Sequence, residues 1–161
     1  MDAIARSHAQ LLPVHASLAA KAVGGLTAGE LLRQPGEHGN PMLWILAHVV
    51  ATRGDLLKML GASWDQPAWA GAFARGTARP AAADYPPLAQ VLATLTATEG
   101  SLRAALDTLT DEQWSAPSPR SFPVADKSMR GALAFFVFHE AYHVGQLAYL
   151  RRWLGHSGLA G

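Results

Sequence analysis

The sequence predicts an all-α fold, a four-helix bundle with long connections after its second and third helices. Three observations predict it. Apolar residues recur at steps of three and four almost throughout the chain. No run alternates apolar and polar residues long enough to demand a strand. Two long stretches rich in Gly and Pro separate the last three periodic segments, which is the connectivity of a bundle with crossings rather than tight turns. At 161 residues the chain suffices for one substantial core, and residues 1–161 read as a single domain.

In the first segment Ile4, His8, Leu11, His15, Leu18 and Ala22 fall on one helical face, and Pro13 inside that pattern should kink it. Gly24-Gly25 ends the segment. Thr27-Ala28-Gly29-Glu30 has capping-box spacing and predicts a short helix carrying Leu31 and Leu32. Asn40-Pro41 is a start signal, Asn as cap and Pro as first helical residue, for a second long helix from about Pro41 to Leu60 with its stop at Gly61. The first half of that helix, Met42 to Val50, is apolar almost all round and therefore buried on several sides.

Residues 61–87 break the periodicity, with Trp64, Trp69 and Phe73 among Gly and Pro. A connection of this length is commonly functional, and its aromatics are placed to roof a pocket or to pack over the bundle end. Leu88, Leu92, Leu95, Leu102, Leu106 and Leu109 mark the third long helix. Thr110-Asp111-Glu112-Gln113 is a second capping box, opening a turn that carries Trp114. After the proline-rich stretch 115–127, Ser128 is the expected cap of a fourth long helix that ends at Leu154, with Gly155 as its stop.

Composition narrows the function classes. Half of the residues are hydrophobic and 16% are charged, against about 25% in ordinary soluble domains. Disorder is excluded, and the charge shortage leaves apolar surface that a second subunit can cover. Thirteen Lys+Arg against twelve Asp+Glu give a net charge of +1, with no basic field to collect nucleic acid or anionic lipid. Zero cysteines exclude disulfides, thiolate metal sites and a cysteine nucleophile. Residues Met1 to Gln10 hold Asp2, Arg6 and His8 and no apolar core of signal-peptide length, and the longest apolar stretch, Ala132 to Phe138, is far too short to span a bilayer. The expectation is a cytoplasmic protein with no membrane partner.

The densest polar feature in apolar surroundings is Phe136-Val137-Phe138-His139-Glu140-Ala141-Tyr142-His143. Histidines four apart stack on one side of a helix and can converge on one ion. Their stripe includes Phe136, Leu147 and Leu150 and should face the bundle interior. A shared cation satisfies two imidazoles that would be costly to bury unpaired. His48, one turn after Trp44 in the most apolar part of the second helix, is a candidate third ligand. Three histidines from two helices form a facial set with open positions, the arrangement of a catalytic rather than a structural metal site.

Other readings of these residues are weaker. His139-Glu140-x-x-His143 matches the zinc-protease motif, but Gln146 and Tyr149 stand where the extended motif needs Gly and His. Glu140-x-x-His143 is half of a di-iron carboxylate site, and Glu30, Glu37, Glu99 and Glu112 supply no second half. His8 and His15 lie on the predicted inward stripe of the first helix. His15 is a candidate pocket residue, fourth ligand or proton shuttle, while His38 and His156 read as solvated.

Three stretches carry a family resemblance. They are Asn40-Pro41-Met42-Leu43-Trp44-Ile45-Leu46-Ala47-His48, then Ser128-Met129-Arg130-Gly131-Ala132-Leu133, then His139-Glu140-Ala141-Tyr142-His143-Val144-Gly145-Gln146-Leu147. Together they closely resemble the DinB-like (DinB/YfiT-like) family of metal-binding four-helix bundles, from the first helix to Arg152. The most specific piece is His-x-x-x-His-x-Gly-Gln preceded by a distant His.

The resemblance implies one divalent ion, zinc, nickel or iron, held by His48, His139 and His143, and a homodimer. Members with assigned chemistry include transferases and isomerases that use low-molecular-weight thiols. The implied function is a metal-dependent enzyme of the thiol S-transferase or hydrolase type acting on a small molecule. The alternative is a non-catalytic, metal-stabilised binding or stress-response module. With no Cys in the chain, any thiol must arrive as a co-substrate. Glu140 can serve as base only if it turns towards the ion, and one step round the helix from His139 it is better placed to face a neighbouring helix or solvent. Gln146 is a candidate partner for a ligand imidazole or for a backbone group across the bundle.

Overall fold

The computed structural model describes residues 2–159. The fold is a four-helix bundle, mostly helical, with no strand among those residues. Its elements are α1 (Ala3–Ala9), α2 (Leu11–Val23), α3 (Ala28–Leu32), α4 (Met42–Met59), α5 (Leu88–Thr108), α6 (Asp111–Ser115) and α7 (Met129–Trp153), with 3-10 turns at Ala70–Phe73 and Ala82–Asp84. The bundle is formed by α2, α4, α5 and α7. Each of α2 and α4 packs along both α5 and α7, so the consecutive long helices α2 and α4 face each other across the bundle diagonal. The long connections follow α4 and α5, as the sequence predicts.

The first predicted helix is in fact two. The chain breaks at Gln10, one turn before Pro13. A proline ring crowds the carbonyl four residues back, and Ala9 ends α1 at that position. The break also turns the inward face. Ile4 and Leu11, expected inside, are exposed; His15 and Ala22 are buried as expected, and Ala5, Leu12, Ala16, Ala19 and Val23 are buried with them. Small alanines let α2 approach α7 closely, which a pattern read from the larger side chains misses.

Both capping boxes form. Thr27 and Glu30, and Thr110 and Gln113, exchange reciprocal side-chain and backbone bonds. Two other predicted caps do not. Asn40 makes no cap bond; Pro41 is the N-cap of α4 and the Asn40 side-chain oxygen accepts from Arg79 Nε at 3.4 Å. At α7, Ser128 occupies the cap position but its hydroxyl makes no cap bond. The Met129 N–H is instead satisfied by the Ala116 carbonyl at 3.0 Å, because the 115–127 connection lies against the helix start. His156, expected in solvent, bonds Glu30 at 2.7 Å and ties the chain end to α3. Arg151 also donates to the carbonyls of Ala22 and Gly24, at 3.0 and 2.8 Å, supplying partners for the open end of α2.

The core has two apolar clusters. One gathers Val23, Met42, Leu46, Val50, Leu95 and Leu147, the other Leu12, Leu57, Leu102, Trp114, Leu133 and Val137. Along every bundle helix a buried polar residue lies between the two sets: His15 on α2, Arg53 on α4, Thr98 on α5 and Glu140 on α7. A polar layer therefore crosses the middle of the bundle.

Candidate metal centre

His48 is carried by the buried part of α4, His139 and His143 by the middle of α7, where α4 and α7 pack together. The i, i+4 spacing brings the two α7 rings edge to face, centroids 4.4 Å apart and planes 78° from parallel. His48 meets them from the opposite helix, 5.1 Å from the His139 ring and 4.9 Å from the His143 ring. All three offer a nitrogen to a common point, the ligand atoms lying within 4.8 Å of one another. Nε2 of His139 is 3.2 Å from that of His48 and 3.1 Å from that of His143.

The outer nitrogens decide which protons are present. His48 Nδ1 lies 2.6 Å from the Phe73 carbonyl. A carbonyl only accepts, so Nδ1 carries the proton and Nε2 of the neutral ring presents a lone pair. His143 Nδ1 donates in the same way to the Gln146 side-chain oxygen at 2.7 Å. Two lone pairs thus face His139 Nε2, which has at most one proton to give. Burial and neighbouring positive charge keep these rings neutral. His139 and His143 are each lowered to about 4, desolvation first, and His48 is lowered by desolvation against the pull of its Phe73 bond. Three neutral imidazoles aimed at one point are a donor set that fits a first-row divalent cation and that protons alone leave unsatisfied.

Trp44 stacks on His48, centroids 4.9 Å apart and planes 13° from parallel, and fixes that ring from behind. Of the two partners open to Gln146 in the sequence, its side-chain oxygen meets His143. Glu140 turns the other way. It is 4% exposed, and both its oxygens accept from Arg53, Nη2 to Oε1 at 2.6 Å and Nε to Oε2 at 3.0 Å. Arg53 also donates to the Leu12 carbonyl at 2.7 Å. The Glu140 carboxylate is thereby withheld from the role of base in a His-Glu-x-x-His protease. His15 is buried on α2, its nearest charges those of Glu140 and Arg53, and it is not among the converging donors. His8 bonds the Ile4 carbonyl at 2.9 Å within its own helix.

A cavity of about 210 Å³ opens beside the cluster, with His48 and His139 in its wall. Trp64 lines it, whereas Trp69 and Phe73 pack against the core. Sequence reasoning missed two participants. Arg53 lies five positions after His48, and with Asp55 and Lys58 following in the same helix its charge alone does not mark it as buried. The Phe73 carbonyl is a backbone group, and no residue type announces it.

A bundle whose two facing helices point three imidazoles at one spot defines a class of small helical proteins with a candidate metal site. A sequence model of the DinB superfamily matches residues 12–147, and the chain belongs to that family. Two solved structures share the fold. A conserved protein from Enterococcus faecalis superposes with a TM-score of 0.73 at 14% identity, covering 94% of this chain and 96% of the other. YfiT from Bacillus subtilis, described as a probable metal-dependent hydrolase with an unusual four-helix bundle topology, has a TM-score of 0.70 at 20% identity, with 95% and 89% covered. No curated protein sequence matches the chain.

Proposed function

We propose that this protein is a metal-dependent enzyme that uses one divalent ion, held by His48, His139 and His143, to act on a small molecule. The observation that carries the reading is the meeting of three Nε2 atoms beside a cavity that reaches two of the rings. A site closed on all sides would serve structure alone; here one side is left for a substrate. The description of YfiT as a probable metal-dependent hydrolase supports hydrolysis. Transfer of a thiol co-substrate is the other chemistry this donor set serves, and zinc, nickel and iron are the occupants it accepts.

A divalent ion held by three neutral imidazoles supplies Lewis acidity, which polarises a substrate oxygen and lowers the pKa of a water or thiol. The chain's own residues prepare the place. Phe73 and Gln146 fix the tautomers of His48 and His143, Trp44 fixes a ring plane, and burial keeps the rings unprotonated at neutral pH. With Glu140 bound to Arg53, Asp55 is the carboxylate that lines the cavity.

Metal titration calorimetry tests the reading, followed by a panel of esters, amides and thiols. The expected result is one ion per chain, loss of at least about a hundredfold in affinity in His48→Ala, and turnover that follows metal content. Unchanged affinity in the mutant removes the site. Tight binding with no turnover across the panel favours the second reading, a binding module in which the ion pins α4 to α7; the observation on its side is that all three ligands come from those two helices.

A cytoplasmic homodimer is part of the proposal. No described helix is long and apolar enough to cross a membrane. Phe138, Tyr142, Tyr149 and Trp153 leave 65%, 57%, 68% and 41% of their surface exposed along α7, an aromatic face that a second copy can cover. Sedimentation of the wild type against Phe138→Ser and Tyr149→Ser is expected to show a dimer that the substitutions weaken; a monomeric wild type removes this part.

A further inference from the structure

The cavity that holds His48 and His139 in its wall also carries an excess of positive charge. Lys58, Arg75 and Arg120 line it against one carboxylate, Asp55, in a chain whose net charge is only +1. Two of these cations are engaged. Lys58 donates to the Gln66 side-chain oxygen at 2.6 Å and lies over the Trp64 ring at 5.2 Å. Arg120 stands 3.6 Å from Asp55 and 5.7 Å over the Phe122 ring. Arg75 makes no hydrogen bond or ion pair with the described residues. Its charge is nevertheless felt by both His48 and His139.

The two arginines come from different parts of the chain. Arg75 follows Phe73 by two residues, and the Phe73 carbonyl is the group bonded to His48, so the loop that carries Arg75 is anchored at the histidine cluster itself. Arg120 comes from the second long connection, which is pinned to the start of α7 through Ala116 and Met129. A guanidinium presents a planar fork that matches a carboxylate, and a concave wall with excess positive charge concentrates anions.

We propose that this cavity binds small organic anions, with Arg75 gripping a substrate carboxylate while the reacting group lies against His48 and His139. Arg120, shared with Asp55, is the weaker second cation. A volume of about 210 Å³, below the roughly 300–1,000 Å³ of ordinary ligand pockets, sets the size: a compact carboxylic acid. This names the substrate class of the metal site proposed above and rests on that reading for the reacting end only.

The test compares 3-mercaptopropionate with its uncharged amide on the cobalt-loaded protein, binding being followed by calorimetry and by the cobalt absorption spectrum. The acid is expected to bind about tenfold more tightly than the amide. Arg75→Ala should bring the two within about twofold of each other at unchanged cobalt content, Arg120→Ala should reduce the preference by less, and Arg103→Ala, on α5 outside the cavity, should leave it intact. Equal binding of acid and amide to the wild type overturns the proposal. So does a full acid preference that survives in Arg75→Ala, since chelation by the cobalt then explains it. Should the protein take up no cobalt, the metal reading fails by itself. The same acid and amide pair followed by ligand-observed NMR then decides the anion site alone: a preference lost in Arg75→Ala sustains it, and no preference overturns it.

Discussion

Glu140 sits between two histidines of the cluster in sequence and turns away from them in space. Its partner Arg53 is 2% exposed and donates twice to it. Truncating one member of such a pair leaves the other charge buried alone, at a cost of about 3–5 kcal/mol. Glu140→Ala is expected to lower the guanidinium midpoint accordingly, while Arg53→Met with Glu140→Leu should cost clearly less than the single change. Equal losses in the two proteins would argue that packing rather than charge dominates. The histidines make a second prediction, for the metal-free protein. His139 and His143 lie at about 4 in the fold against an ordinary 6.5, so the unfolded chain binds more protons between those values. Their contribution is intact above pH 6.5 and is lost as pH falls towards 4. The melting temperature of metal-free protein should drop across that window, and His143→Gln should flatten the slope. The trio was legible because helical spacing and apolar surroundings are both written locally. Arg53 escaped notice because its partner lies eighty-seven positions away.

At the scale of the element, close approach decides which residues are allowed. Gly54 on α4 lies beneath Trp64, and a Cβ there would stand 2.0 Å from the indole ring. Gly54→Ala must displace Trp64 from the cavity wall, with an expected loss of about 1–3 kcal/mol in denaturant unfolding and weaker binding of any ligand in the cavity. Gly131 plays the same part at the start of α7, where a Cβ would meet the Asp126 carbonyl oxygen. Through these contacts each of the two long connections folds back over a helix. The capping boxes were legible, since donor and acceptor sit three residues apart. Asn40 and Ser128 were not: the Asn40 side chain is taken by Arg79, and the start of α7 is served by the Ala116 carbonyl, both partners that arrive from distant chain.

At the scale of the molecule, the polar layer of His15, Arg53, Thr98 and Glu140 divides the core, and the histidine cluster stands where α4 meets α7 across it. A ligand that binds only the folded state stabilises by mass action. Zinc at about a hundredfold excess over its dissociation constant should add about 2.7 kcal/mol, raising the melting temperature by roughly 5–10 °C. His48→Ala should abolish that shift, and an equal shift in the mutant would place the metal elsewhere. The sequence by itself determined the long helices α4, α5 and α7, the caps at the two boxes and the three candidate ring nitrogens, because each depends on spacing or apolar surroundings within a single helix. Only the tertiary structure decided that α2 and α4 lie on the diagonal, that Glu140 belongs to Arg53, that the Phe73 carbonyl reaches His48 and that Arg75 lines the same cavity. Those are pairings between distant segments, set by how helices pack, and local periodicity carries no record of them.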